Sequence, residues 1–498
     1  MLIRHSAGSL PRGPASWVWL AVAACFMLFS GGRWSVPAAA WLAPVFMVRF
    51  VRAQSAATGI VAGAVAAIGV TLVSWSGLIP VPAPIYLAVA GLFGLGFFLP
   101  YALDRLIAPR LPGFESTLVL PLAWTTVEWL NASFNPYGTW GSVAYTQADN
   151  LPLLQLLAVT GLWGVTFLIA WFAAVVNWAW RRRFEWKRVR PGVLLYAAVA
   201  SLALMYGGLR LALSPPRAPT VRIAALTVRP GPAMSIMRLL RPDFTRADLD
   251  EALRRTHALH DTLFARTQRE ARAGARLVLW SEVNGLVVKQ DEAGLIERGR
   301  ALARREGIWL LMPLATATPG NPKYENQLVA VRPDGSVAFR YHKARPVPGD
   351  PETGADRRIP APVESAFGRI SGAICFDLDF PPLMRRAGRE RADILFAPSS
   401  DWQAIDPIHT RMAICRGVEN GCSVVRQTHQ GLSAAADHQG RVLAAVDFFR
   451  AADPVMVAQV PTRGVRTIYA RFGDVFAWFG LAGLIVLAAA ALSQPARF

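Results

Sequence analysis

Three side chains in the carboxy-terminal half of the chain are of the right types to do covalent chemistry together. Cys375 lies in Gly372-Ala373-Ile374-Cys375-Phe376-Asp377, at the end of a strand-like run Arg369–Ile374 and just before Pro381-Pro382. Most free cysteines are small buried hydrophobes, but one that leaves an apolar strand at a sharp turn can project its sulfur into a cleft. Glu282 ends the apolar run Arg276–Ser281, and Lys343 ends Val337–His342, the second arm of a hairpin turned at Pro333-Asp334-Gly335. An unperturbed thiol sits about 1.5 pKa units above neutrality, so its use as a nucleophile needs a base. A carboxylate tuned by a cation in a dry pocket can take that proton, and the ammonium can stabilise a tetrahedral oxyanion. Taken singly, the three are a strand-end acid, a solvated lysine and a core thiol. Their order and their shared strand-end setting point to one site.

The elements that must position them follow a linker, Pro215-Pro216-Arg217-Ala218-Pro219. From there to about Thr462 the composition is that of a globular domain of roughly 245 residues, ample for its own core. Strands are predicted at 221–226, 276–280, 308–315, 327–332, 336–341, 369–375, 394–397, 423–426, 432–437 and 441–446. Helices are predicted at about 245–273, 291–306, 382–389 and 408–420. Such alternation predicts strands in layers with helices outside. No nucleotide-binding glycine loop is present. His257 and His260 stand one helical turn apart, but their flanking arginines and the lack of a matching Cys or His cluster predict a solvated face rather than a metal site. Cys25 falls in an apolar run; Cys415 and Cys422 read as packing residues, and no disulfide is expected.

The preceding part is of another kind. The 498-residue chain is 53% apolar and only 17% charged, too hydrophobic for an ordinary soluble enzyme. Long apolar runs occupy 16–31, 36–50, 56–79, 84–103, 115–130, 155–180, 192–213 and, after the globular part, 473–492. They predict about eight transmembrane helices, the second and fifth with uncertain limits. The first run follows Arg4 and Arg12 like a secretory signal, but without a convincing cleavage site it reads as an uncleaved first helix. Arg49 and Arg52, Arg105 and Arg110, and the block Arg181–Arg190 fall in alternate loops, with only Arg33 on the other side. The positive-inside rule then makes these loops and the amino terminus cytoplasmic and the globular domain extracytoplasmic. The net charge of +19 fits anionic lipid headgroups beside the spans, and nucleic acid is not an expected partner. Glu128, in Trp124-Thr-Thr-Val-Glu128-Trp129, is either a functional intramembrane carboxylate or an interfacial one beside Trp129. The aromatic loop Asn131–Asn150 is expected in the outer headgroup layer.

The Glu282, Lys343 and Cys375 order resembles the catalytic trio of the nitrilase superfamily, and the chain as a whole resembles the apolipoprotein N-acyltransferase family. The stretches that carry the resemblance are Trp124–Trp129, Gln147, Gly161-Leu-Trp-Gly164, the trio, His409, Arg416–Gly421 before Ser423–Arg426, Gly431-Leu-Ser433, Asp437 and Gly440. The resemblance implies a polytopic α-helical membrane domain over 1–214, an α/β nitrilase-like αββα sandwich over 215–465 on the periplasmic side, and a final helix with a short cytoplasmic tail over 466–498. It implies a multi-pass protein of the bacterial inner membrane. Glu282 would be the general base, Lys343 the oxyanion stabiliser and Cys375 the nucleophile. The implied reaction is ping-pong: Cys375 takes an acyl chain from a phospholipid donor, and the thioester passes it to the amino group of a diacylglyceryl-cysteine on an apolipoprotein acceptor. Neither cofactor nor metal is implied.

Departures from the family pattern fall around the trio. Val347-Pro348-Gly349-Asp350-Pro351-Glu352 follows the lysine, leaving Asp350 and Glu352 as alternatives for an accessory carboxylate. Phe376-Asp377 replaces Tyr-Glu after the cysteine, and Ser400-Asp401-Trp402 stands where the family has Asn-Asp. Thr227-Val228-Arg229 replaces Gln-x-Asn, and the lid-like stretch to Asp243 has no tryptophan. The competing readings are a membrane-anchored amidase or divergent acyltransferase with another acceptor, since the same trio serves C–N hydrolysis, and a transporter or binding scaffold. The last is disfavoured because the spans lack paired intramembrane charges.

Overall fold

The computed structural model describes residues 15–229, 233–353 and 356–493; Arg4, Arg12 and the tail beyond Ser493 lie outside them. The chain divides into two compact units, Met1–Leu213 with Asp474–Phe498, and Ser214–Gly473.

In the helical unit each apolar run of the sequence contains a helix. Ala56–Ser74, Ala83–Arg110, Leu162–Arg181, Trp186–Leu213 and Val475–Leu492 are long and apolar enough to cross a membrane. Ala15–Leu28, Pro37–Ala53 and Val119–Phe134 have 14, 17 and 16 residues, short of the roughly 20 that a bilayer core requires. Among the described residues, five helices of spanning length therefore stand against the expectation of about eight. Leu162–Arg181 is central, with 83% of its apolar window buried, against 11% for Trp186–Leu213 and 17% for Val475–Leu492. Those outer helices expose Leu202, Phe479 and Val486, an inverted distribution suited to a lipid solvent. Helices Ala56–Ser74 and Ala83–Ile107 approach closely at Gly94, where a Cβ would come within 2.7 Å of Ile68 Cα, the small-residue contact common between membrane helices.

Two polar pairings hold this unit. Glu128 is buried and accepts hydrogen bonds from Trp124 Nε1 (3.1 Å), Ser142 Oγ (2.8 Å), Val143 N (3.0 Å) and Thr166 Oγ1 (2.7 Å). It ties the 131–150 loop to two helices, and Tyr145 of that loop is buried too. Arg52 Nη2 and Nε meet Asp104 at 2.6 and 2.8 Å, both side chains buried. The expectation that the spans lack paired charges is thus corrected. The pair joins the last turns of two helices, where the desolvated partners satisfy each other bidentately.

The α/β unit is built from period-two strands. In Thr220–Leu226, Val221, Ile223 and Ala225 enter one hydrophobic cluster while Ala224 and Leu226 enter another, because successive side chains of a strand face opposite ways. The strand lies in an eight-stranded sheet whose main path runs Val455–Pro461, Thr220–Leu226, Leu277–Trp280, Trp309–Ala317, Tyr324–Val331 and Val337–His342. A six-stranded sheet runs from Val363–Ser365 through Gly368–Gly372, Ile394–Ser400, Ser423–His429 and Leu432–Ala436 to Val442–Asp447. One cluster joins Ile223, Leu279 and Leu311 to Ile370, Ile394, Phe396 and Val424, so the sheets pack face to face. The outer face of the larger sheet is covered by Leu259 and Leu263 of helix Arg246–Arg272 and by Leu295 and Leu302 of helix Glu292–Glu306. Helix Ile408–Asn420 covers the smaller one through Ile414. The layers run helix, sheet, sheet, helix.

Residues 466–473, read from sequence with the last span, belong to this unit. Thr467 caps the short helix Ile468–Phe472 and its hydroxyl donates to Glu419 O, docking the stretch on helix Ile408–Asn420. The sequence also missed strands Gly285–Val288 and Val455–Pro461 and helix Ala233–Leu239. His257 is exposed against Asp291 (2.7 Å), but His260 is buried with its Nε2 at Leu286 O (2.8 Å), not solvated as its arginine neighbours suggested.

Candidate active site

Glu282, Lys343 and Cys375 come from three strand ends and are all nearly fully buried, each at most 3% exposed. Lys343 Nζ donates to Glu282 Oε1 at 2.9 Å and to Glu352 Oε1 at 3.0 Å. Asn326 Nδ2 bridges the same two oxygens at 2.7 and 2.8 Å, and Tyr324 OH donates to Glu352 at 3.1 Å. Of the two acids that the sequence left open, Glu352 is the one in contact with Lys343. It is placed by a two-residue strand, Glu352–Thr353, pairing with Tyr324–Val331. Asp350 lies near enough to feel these charges without contacting Lys343; burial and the Glu352 carboxylate raise its pKa to about 6. Burial alone would lower the Lys343 pKa, but Glu282 and Glu352 outweigh it and hold the ammonium well above the ordinary lysine range.

Cys375 has φ 48°, and Val283, next to Glu282, has φ 56°. Neither is a glycine, and a β-branched residue there is strained. In both places the chain turns sharply just beside a site residue. Sγ of Cys375 lies 3.6 Å from Ser400 O. Burial first, and then the Glu282 charge, push the thiol pKa well up, with Lys343 opposing. A thiol held so high would need a proton acceptor if it were to act as a nucleophile.

Asp377 organises the turn that carries Cys375. Its Oδ2 accepts from Ile374 N (2.9 Å) and Tyr341 OH (2.7 Å), and its Oδ1 accepts from Arg345 N (2.8 Å). One buried carboxylate thereby fastens Cys375 to the segment carrying Lys343; burial raises its pKa to about 7. Beside the thiol lies a second network. His409 Nδ1 meets Asp401 Oδ1 at 2.8 Å and its Nε2 meets Asp379 Oδ1 at 3.2 Å. Arg426 forks onto both Asp401 oxygens at 2.8 and 3.0 Å. Burial would lower the His409 pKa, but Asp379 and Asp401 raise it to about 9; Arg426 and His409 overcome burial to hold Asp401 near 2. Cys375, Asp401 and His409 offer ligand atoms within 4.8 Å of one another. Both Asp401 oxygens already accept from a guanidinium, so the group reads as an ion-pair network that supports Ser400 and Asp401. The sequence singled out His409 and Asp401 only separately. Asn326 was missed, although a polar Glu325-Asn326-Gln327 within a buried strand signals side chains that must find partners.

Comparison with known proteins covers both units. A sequence profile of the carbon-nitrogen hydrolases matches residues 240–469, and one of the apolipoprotein N-acyltransferase N-terminal domain matches residues 23–175. An apolipoprotein N-acyltransferase of Geobacter metallireducens is 27% identical over 418 residues, covering 77% of this chain and 75% of its own. The Bradyrhizobium diazoefficiens protein of that name is 27% identical over 448 residues, 81% of this chain and 77% of its own. Among solved structures, an amidase from Nesterenkonia sp. aligns at 20% identity and a TM-score of 0.39, covering 53% of this chain and 97% of its own. With both of its units matched in order along one sequence, the chain is similar over most of its length to the apolipoprotein N-acyltransferases, and in its α/β unit to the carbon-nitrogen hydrolases.

Proposed function

We propose that this protein moves an acyl chain from a phospholipid, through a thioester on Cys375, to the amino-terminal amine of diacylglyceryl-cysteine in lipoproteins. The observation that carries the reading is the buried meeting of Lys343 with Glu282 and Glu352 beside a thiol on a strained turn. In the first half-reaction Glu282 takes the thiol proton as sulfur attacks the ester carbonyl, and Lys343 stabilises the oxyanion that forms. Collapse breaks the C–O bond, and the lysophospholipid alkoxide leaves with the proton from Glu282. In the second half the acceptor amine attacks the thioester, Glu282 takes an amine proton, the C–S bond breaks, and the thiolate recovers that proton. A buried site suits this sequence, because water would otherwise compete for the thioester. Glu352 Oε2 and Asn326 Oδ1 are buried with no partner among the described residues. They are acceptors available to orient an incoming N–H.

The membrane setting belongs to the same proposal: about eight spans, the shorter helices completing the set, with domain limits near 214 and 465. The arginine-bearing loops lie in the cytoplasm and the α/β unit on the periplasmic face of the bacterial inner membrane. The test is product formation by purified, detergent-solubilised protein given phosphatidylethanolamine and a diacylated lipopeptide. Triacylated lipopeptide from the wild type and none from Cys375→Ala is the expected result. Equal product from both removes Cys375 from the reaction.

A further inference from the structure

Arg229 follows strand Thr220–Leu226 and is held between two strand ends that carry the site. Ser281 N donates to Leu226 O (2.9 Å), and Val228 N donates to Asn284 Oδ1 (2.6 Å), which binds this segment to the turn containing Glu282. On the other side Gln427 Nε2 donates to Thr227 Oγ1 (2.7 Å), which binds it to the end of strand Ser423–His429. The guanidinium carbon lies 3.9 Å from the centre of the Phe448 ring, and that ring packs edge-on against His429 at 5.1 Å. His429 pairs in register with Ser400, whose carbonyl is the 3.6 Å neighbour of Cys375 Sγ, and Asp401 N donates to His429 O. The arginine is therefore only a few side chains away from the nucleophile.

Among the described residues Arg229 Nε and Nη2 are buried with no hydrogen-bond partner, and the next residues, Pro230-Gly231-Pro232, carry no acid. His429 does not compensate: burial first, then Arg229, lower its pKa to about 4, so it is neutral near pH 7. Buried guanidinium N–H groups without an acceptor are costly, and the planar fork they form matches phosphate oxygens. Of the two substrates in the proposed reaction, the acyl donor is the one that brings a phosphate, linked through glycerol to the ester that Cys375 attacks.

We infer that Arg229 binds the phosphodiester of the acyl donor and sets the donor's ester against Cys375. This rests on the acyl-transfer reading above. The test compares acylation of Cys375 in the full-length detergent-solubilised protein by phosphatidylglycerol and by p-nitrophenyl octanoate, an activated ester without phosphate. Arg229→Gln is expected to slow acylation by the phospholipid about 10- to 100-fold more than acylation by the octanoate ester, with partial recovery in Arg229→Lys. Equal slowing with both donors assigns Arg229 a structural role and overturns the inference, as does no slowing with either. Wild-type protein acylated by octanoate but not by any phospholipid sinks the phospholipid-donor reading and the assignment with it.

Discussion

At the level of single residues, the site sets two glutamates, Glu282 and Glu352, against the Lys343 ammonium in a buried space. Glu352 and Asp350 are two positions apart, and the sequence offered no means of choosing between them. The choice is made by a strand of two residues, too short to leave a periodic signal, that turns Glu352 onto Lys343. Glu352→Gln weakens the hold on the ammonium and is expected to lower acyl-transfer kcat by about 100-fold, whereas Asp350→Asn costs less than about fivefold. Steady-state rates of the two variants check this; a larger loss in Asp350→Asn would reverse the assignment. Glu282, Lys343 and Cys375 themselves were legible because each terminates a strongly apolar strand. Arg229 and Asn326 were not, since their roles depend on neighbours about 200 and 40 residues away that only the folded sheets bring close.

At the level of elements, Asp377 couples the turn after strand Gly368–Gly372 to the segment after strand Val337–His342. Asp377→Ala leaves a buried phenol and two backbone N–H groups without their acceptor, costing about 3 kcal/mol. Thermal unfolding of the full-length protein should show the loss, together with slower acylation of Cys375; unchanged stability would mean the turn is held by other contacts. His409 makes stability depend on pH. Its folded pKa, about 9, exceeds the ordinary value near 6.5, so between these limits the folded state binds more protons than the unfolded. Its contribution, on the order of 3 kcal/mol, is complete below pH 6.5 and is lost as pH rises through about 9. Asp379, Asp401, Arg426 and Cys375 surround it, so the slope is assigned by comparison with His409→Gln. The variant should unfold with a flatter pH dependence across that window, and an unchanged slope would exclude His409 as its source. The strand and helix order of the α/β unit was readable from apolar alternation. The edge elements were not: Gly285–Val288 is an apolar run too short to separate from a loop, and Val455–Pro461 lies beyond the last turn signals.

At the level of the whole molecule, sequence composition separated a lipid-facing unit from an α/β unit. Apolar runs located the helices well but overstated how many reach spanning length, because Pro37–Ala53 and Val119–Phe134 stop short. The pairing of Arg52 with Asp104 and the reach of Glu128 to Thr166 were invisible, because partners in sequence-distant helices leave no local pattern. The proposed topology rests on the arginines. Single cysteines placed at Arg183 and at Arg217, in a protein otherwise free of exposed thiols, should label oppositely in intact spheroplasts. A membrane-impermeant maleimide should reach position 217 and not 183, and the reverse pattern would invert the topology.

The central claim is that Cys375 carries the acyl chain between two lipids. Intact-protein mass spectrometry after incubation with phosphatidylethanolamine, followed by a chase with diacylated lipopeptide, tests it most directly. The account predicts one acyl adduct, mapped to Cys375, that disappears as its mass is gained by the lipopeptide amine. An adduct released only as free fatty acid, or no adduct on Cys375 while triacylated product accumulates, would contradict it.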